Sequence, residues 1–512
     1  MSRKFVVRGF FWPALVGLVL FNAEIAFSLD AVLAKDPGLR AGASAGNPLA
    51  NLTPTQLTFF NMGKVSFVEA EAVADGLGPA MNLDNCGGCH SQPAFGGTSP
   101  SQNPQIALAK FNRVNREGNL PSFVSPDGPV RVARFVKNAD GAPDGAVHAL
   151  LTIAGRPDAP GCAIVQPDFA AELAKHNVIF RIPSPVFGAG LIEQIPDSAI
   201  RANLAANATQ KLALGIRGRA SIVVSSNKSS GGARANEIDG PIARFGWKAH
   251  NASLLVAAAE AYHDEMGITN ELFQTERNES AACQFLSVGN DNIKMEGIPA
   301  IDSVRRYLNP SGHRYPLDVA ALRERVIAFA ARNPPGDYLA NTDGQAPVDT
   351  VSSIEKFASF MRYLAPPTPS SDTPGGAESI TRGRHLFGNV GCAACHTPTL
   401  RTGDATVAAL RNQPVNLYSD LVLHDMGPGL ADGVAQGQAA PREFRTAPLW
   451  GLGQRIYFLH DGRTRDLLIA IDAHRSGSSS NGDSSEANAV IGQFEALPQS
   501  GKQDILNFLR SL

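Results

Sequence analysis

The chain has 512 residues, enough for several domains and a large core, and its 45 basic and 47 acidic side chains nearly cancel. It has no run of Lys/Arg and no basic strip interleaved with aromatics, so the electrostatic footprint of a nucleic-acid binder is missing and that class of partner is excluded. With 49 glycines, 35 prolines and 7% aromatics, the composition predicts short helices, long loops and an interior filled partly by something other than side chains.

At the N-terminus, Arg3, Lys4 and Arg8 precede an apolar run from Phe10 to Phe21, with small residues near Ala26 and Ser28. This is the shape of a secretory signal peptide over residues 1–28; an uncleaved anchor is the alternative, disfavoured because Asn22 and Glu24 interrupt the apolar stretch. No later segment of that length is as uniformly apolar. The mature chain is therefore expected in the periplasm, not integral to the membrane, in a compartment where disulfides persist.

A Gly/Ala/Pro-rich approach follows from Leu29 to Leu52. From Thr53, "TPTQLTFFNMGKVSFVEAEAV" reads as a capped helix started by Thr53 or Thr55, with Leu57, Phe60, Met62 and Phe67 near helical spacing. It runs into "NCGGCH", residues 85–90, and a similar "GCAACH" stands at 391–396. Four of the six cysteines thus sit in two Cys-x-x-Cys-His units.

A thioredoxin-like dithiol predicts no particular histidine, and a zinc site joining all four sulfurs leaves both histidines coincidental. Covalent haem attachment explains all three residues together. Both sulfurs add to the vinyl groups of one porphyrin edge, and the next imidazole ligates iron from below. A single chance occurrence has a probability of roughly one in a thousand in a chain of this size. Cys86, Cys89, Cys392 and Cys395 are therefore expected to hold two c-type haems, with His90 and His396 as iron ligands and zinc or dithiol chemistry as the alternative. For the leftover Cys162 and Cys283, a structural disulfide is the plain reading and a reactive thiol the functional one.

Between about Pro93 and Pro366, β-like runs such as "VIFRIPSPVFGAG" and "ASIVVSS" mix with helical patterns such as "ASLLVAAAEAYHDEM" and "AALRERVIAFAARN". "PPTPSSDTPGGAES", 366–379, is the clearest linker. Beyond it, "ESITRGRHLFGNVGCAACH" reads as a helix entering the second haem loop, and "SGKQDILNFLRSL" as a closing helix with Ile505, Phe508, Leu509 and Leu512 on its apolar face. The expected organisation is an N-terminal haem domain with a large insertion over 29–370 and a small cytochrome c domain over 371–512. The expected fold class is mainly α, cytochrome c-like haem domains with an irregular, partly β insertion.

Eleven histidines are present, so further iron ligands have many candidates. Here the C-terminal stretch is informative. "FRTAPLWGLGQRIYFLHDGRTRDLLIAIDAH", 444–474, resembles the segment of bacterial di-haem cytochrome c peroxidases in which a methionine fourteen residues after the His of His-Asp-Gly is the distal ligand of the C-terminal haem; here that position is His474. "LDNCGGCHSQPAFGG", "IPSPVFGAGLIEQIPD", "ARFGWKA", "LHDMG" and "APLWGLG…FLHDG", in that order, resemble the di-haem oxidoreductase family, whose members are described as peroxidases or thiol oxidoreductases.

The resemblance implies a di-haem peroxidase-like architecture in which the His90 haem is open to hydrogen peroxide. The His396/His474 haem would relay electrons from a redox partner protein, and a calcium ion could sit between domains. Unlike the well-known peroxidases, this chain has no histidine between His90 and His148, so that iron is either open or capped from further away. Glu193 and then His148 are the expected distal bases; the bland reading of Glu193 is a helix cap. "DLVLHDMG" is expected as a loop at a haem edge, and Trp247 or Trp450 as a bridge between haems or as core. The competing functions are a plain electron-carrying cytochrome and a dioxygen-activating oxygenase; the long stretch between the two haem units argues against the carrier.

Overall fold

The computed structural model describes residues 33–41, 44–81, 83–111, 120–143, 156–162, 167–223, 241–270, 272–273, 283, 352–477 and 483–512. The expected signal segment, His148 and "AALRERVIAFAARN" lie outside the described residues. Among them the architecture is helices joined by long loops, with three two-stranded antiparallel sheets.

Thr53 starts the helix Pro54–Val68 with a capping box: its hydroxyl accepts from the Gln56 N–H, and its own N–H donates to the Gln56 amide oxygen. The buried face is Gln56, Phe59, Phe60, Gly63 and Phe67, which corrects the expected one, since Leu57 is 40% exposed. The reason is a close helix crossing. The helix packs on Ser353–Tyr363 through Gly63, where a Cβ would stand 2.1 Å from the Lys356 carbonyl oxygen. The helix Leu254–Met266, capped by Ser253, joins them. Phe60, Phe67, Phe357, Phe360 and Tyr262 interlock between the three helices, and the Phe67 ring lies 6.0 Å from that of His90.

A second core surrounds the other Cys-x-x-Cys-His unit. The helices Gly376–Asn389 and Gln499–Ser511 pack together, with Phe387, Tyr418 and Phe508 edge to face between them. The expected apolar face of the closing helix is buried throughout, Phe508 completely. The linker is shorter than it reads, because the helix begins at Gly376 and Ser379 is buried against Asp504 and Asn507. The approach segment is likewise no free tether. Half-buried Asp36 accepts from Arg510 Nε and Nη2 at 2.7 Å and from the Leu467 N–H at 3.0 Å, fastening the start of the described chain to its end.

Strands Val132–Phe135 and Val178–Arg181 pair with Val132 opposite Arg181. Leu423–Asp425 and Glu443–Arg445 pair with Leu423 opposite Arg445 and His424 opposite Phe444. Cys162 and Cys283 form the expected disulfide across 121 residues. Closing so long a loop restricts the unfolded chain by on the order of 4–5 kcal/mol in the chain-entropy account. Among the described residues no helix is long and apolar enough to cross a membrane.

Candidate functional site

The two Cys-x-x-Cys-His units fold into the same local shape by different means. In the first, the Asn85 side chain accepts from the Gly88 N–H at 2.7 Å, starting one helical turn over Cys86–Cys89. In the second, Gly391 at φ 95° starts the turn Cys392–Ala394. Each turn closes with the histidine N–H donating to the first cysteine's carbonyl, His90 to Cys86 at 3.0 Å and His396 to Cys392 at 2.9 Å. Both sulfurs and the imidazole therefore reach one cavity in each unit.

Those cavities are separate. Cys86, Cys89 and His90 line one of about 320 Å³; Cys392, Cys395 and His396 line another of about 230 Å³. A zinc site joining the four sulfurs is thereby excluded. A reactive dithiol fares no better, since burial pushes the Cys86 and Cys392 thiols up to about 12, the reverse of what a nucleophilic thiolate needs.

Each histidine keeps one ring nitrogen for a ligand. His90 Nδ1 lies 2.9 Å from the Gly97 carbonyl and His396 Nδ1 3.0 Å from that of Tyr418, which commits Nδ1 as a donor and leaves Nε2 as the basic nitrogen. His474 repeats the pattern, with Nδ1 2.8 Å from the Ala470 carbonyl. Burial lowers the pKa of all three and takes His396 to about 4, so each imidazole is neutral at physiological pH, as a metal ligand must be. His474 lines the same cavity as His396, close enough for its charge to depress the His396 pKa. An apolar cavity with a neutral imidazole and two thiols at its wall fits a haem in each case.

Other expectations sort themselves by place. Glu193 does not line either cavity. Its carboxylate accepts from Arg362 Nε at 2.7 Å and from the Leu254 N–H at 2.9 Å, so it caps the helix Leu254–Met266 within a buried ion pair and is corrected from catalytic base to structural residue. His176 and His385 are exposed. His424, at the expected haem-edge loop, approaches Cys395 Sγ at 3.7 Å and sits between Asp420 at 3.0 Å and Glu486 at 2.7 Å. Burial opposes its charge, yet Cys395 and Asp420 raise its pKa well above the ordinary value. Cys395, Asp420 and His424 are the cluster of metal-ligating side chains found among the described residues. Its sulfur and nitrogen donors do not suit calcium.

Two features go beyond the sequence reading, which had singled out only Trp247 among their residues. Glu265 lines the His90 cavity together with His250 and Glu260, and its charge acts on both Cys86 and Cys89. His250 Nε2 is held by Glu260 at 2.9 Å. The other feature is the wall common to both cavities: Ile182, Pro185, Trp247, Arg445, Ala447 and Arg455 line each of them. Trp247 Nε1 donates to the Ile182 carbonyl, and the Arg445 N–H donates to the Trp247 carbonyl, both at 2.9 Å. Three of the quoted motif strings thus converge on one partition. Trp450 lines the His90 cavity alone.

Two cavities sharing one wall, each entered by a Cys-x-x-Cys-His turn, define a protein class built to carry two haems. The chain belongs to the family described as "Di-haem oxidoreductase, putative peroxidase", whose model matches residues 136–287 and 342–512. No curated protein matches the chain. Among solved structures it is similar to Kuenenia stuttgartiensis hydrazine synthase pressurized with xenon, at 21% identity and a TM-score of 0.20, over 31% of this chain and 55% of that one. The chain therefore spans about half the length of that protein.

Proposed function

We propose that the chain is an exported di-haem c-type oxidoreductase that reduces hydrogen peroxide, or uses it to oxidise a partner, at the His90 cavity, with electrons relayed through the His396 cavity. The observation that carries this reading is the asymmetry of the cavities. One brings His396 and His474 into a single space, each with Nδ1 held by a backbone carbonyl; the other gathers His90 with Glu260, Asp264, Glu265 and a His250 whose Nε2 is held by Glu260.

In this reading Cys86 and Cys89, and Cys392 and Cys395, hold the haems covalently in cytochrome c-like surroundings. When bound, the haems supply one-electron chemistry and, at His90, an iron position open to a small oxidant. Glu265 holds and moves a proton at its carboxylate in the His90 cavity, the part first assigned to Glu193. Trp247, packed in the common wall, is the aromatic between the two centres. The Cys162–Cys283 disulfide supports export to the periplasm, and an exported redox protein of this kind takes its electrons from a partner protein.

The test is the optical and EPR spectrum of the oxidised holoprotein before and after one equivalent of hydrogen peroxide. A high-spin ferric signal that disappears with peroxide, beside a persistent low-spin bis-histidine signal, is expected. Two low-spin signals inert to peroxide, also after one-electron reduction, would leave an electron carrier.

A further inference from the structure

Two imidazoles line the His90 cavity, and they are held differently. His90 has Nδ1 on a backbone carbonyl, Gly97 O at 2.9 Å. His250 has Nε2 on a carboxylate, Glu260 Oε2 at 2.9 Å, and that same oxygen accepts from the Asn251 amide. Burial pushes the Glu260 carboxyl up, but the hydrogen bond and charge of His250, with the Asn251 bond, outweigh it and hold the group below its ordinary value. Glu260 is therefore ionised and can only accept. That places the proton of a neutral His250 on Nε2 and leaves the lone pair on Nδ1.

His250 Nδ1 is buried and has no hydrogen-bond partner among the described residues. A buried acceptor left unpaired is costly, and native folds rarely keep one without a use. The backbone beside it is shaped to leave it bare. Gly246, at φ 77°, lies against the ring, and a Cβ there would stand 2.6 Å from Nδ1, so any side chain at this position would cover the nitrogen. Gly437, at φ 57°, packs on the His250 Cβ. An imidazole with one nitrogen on a carboxylate and the other free is the arrangement of a base: the carboxylate fixes the tautomer and stabilises the imidazolium that forms when a proton arrives.

We propose that His250, held by Glu260, is the proton acceptor of the His90 cavity, taking a proton at Nδ1 from a protic oxidant of the hydrogen peroxide class. This rests on the reading that the cavity takes a haem with an open position. In the step, one O–H bond of hydrogen peroxide breaks, its electron pair stays on that oxygen as hydroperoxide, and the proton forms the N–H bond at Nδ1. Glu260 balances the imidazolium charge, and no electron moves. Glu265, the proton carrier of the proposed function, is left to deliver a proton rather than accept one. Glu260 and Asn251 are positioning residues, since they act through His250.

Hydrogen cyanide is the probe, because it loses its proton on binding ferric haem, whereas carbon monoxide binds ferrous haem with no proton to lose. Stopped-flow binding of both, and the reaction with hydrogen peroxide, are followed in wild-type holoprotein, His250→Gln and Glu260→Gln. A wild-type His90 haem that takes up neither cyanide nor carbon monoxide overturns the open-haem reading, and the proposal with it. With binding established, His250→Gln is expected to slow cyanide and peroxide by about 10²–10⁴-fold and to leave carbon monoxide near the wild-type rate. Cyanide and peroxide rates unchanged in His250→Gln, or all three rates slowed alike, overturn the assignment while leaving the open haem intact. A low-spin wild-type His90 haem that turns high-spin in His250→Gln makes His250 an iron ligand and overturns it as well. Glu260→Gln keeps an acceptor for Nε2 and removes the charge. Where His250→Gln yields no holoprotein, it carries the same readout: a smaller loss confined to cyanide and peroxide supports the base, and unchanged rates refute it.

Discussion

The two cavities start from the same five-residue turn and diverge in what the rest of the chain brings to them. Around His396 the helix Leu467–Asp472 ends just before His474, and Phe387, Phe458, Phe494 and Leu509 fill the remainder with apolar surface. The His90 cavity is lined by the helix Leu254–Met266, which contributes Glu260, Asp264 and Glu265. In the proposed reading, each motif would hold a haem by the same atoms. The rest of the lining would then decide whether the centre is an electron store or lies near ionisable groups that can handle protons.

The largest effect should come from deleting one unit at a time. Cys86→Ser with Cys89→Ser is expected to leave one haem with a low-spin bis-histidine spectrum and no peroxide reaction. Cys392→Ser with Cys395→Ser should leave one high-spin haem that still reacts with peroxide but is not re-reduced; haem stoichiometry and EPR distinguish the two. If the remaining spectra come out the other way round, the asymmetry is reversed.

Next in size is the contrast between two glutamates. Glu265→Gln should lower the rate of peroxide reaction by about 10²–10⁴-fold with both haem spectra unchanged, the usual range for a lost acid–base group. Glu193→Gln should instead destabilise the fold by about 3–5 kcal/mol, because it strands buried Arg362, and leave the rate per folded holoprotein near wild type. Stopped-flow kinetics and urea unfolding on both variants separate the roles; a kinetic loss confined to Glu193→Gln would restore it as the base.

A smaller effect follows from a buried imidazole. Burial takes His460 down to about 4, with Asp461 and Asp432 partly opposing the fall. Unfolded histidine binds its proton near 6.5, so between about pH 6.5 and 4 the unfolded chain carries more protons than the folded one, and stability drops as pH falls. The slope is at most about 1.4 kcal/mol per pH unit. His460 lines the His396 cavity, so on acidification its low-spin spectrum should be lost before the His90 signal changes.

The smallest expected effect is at the partition. Trp247→Phe keeps an aromatic ring but loses the Nε1 bond to Ile182. It should slow electron exchange between the haems a few-fold in pulse-reduction experiments, with both spectra retained. An unchanged rate would make Trp247 core packing alone.

Much of this was legible along the chain because it depends on spacing. Two cysteines three apart and a histidine behind them lie on one turn whatever follows, and Thr53, Ser253 and Ser352 cap their helices through neighbours a few residues away. The distance from His460 pointed to His474, which does share the His396 cavity. Glu193 misled for the opposite reason. A carboxylate in an apolar run announces burial, but its partner, Arg362, is far along the sequence and marked by no pattern.

The amino-acid sequence by itself determined that there are two Cys-x-x-Cys-His units, which atoms each offers, and which helices run into them, since these follow from local geometry and periodicity. Only the tertiary structure decided that the two units open into separate cavities with one partition, that Glu265 and not Glu193 lines the first, and that Trp247 stands in that partition. Charge compensation and cavity shape depend on which distant side chains meet, and no spacing along the chain records that.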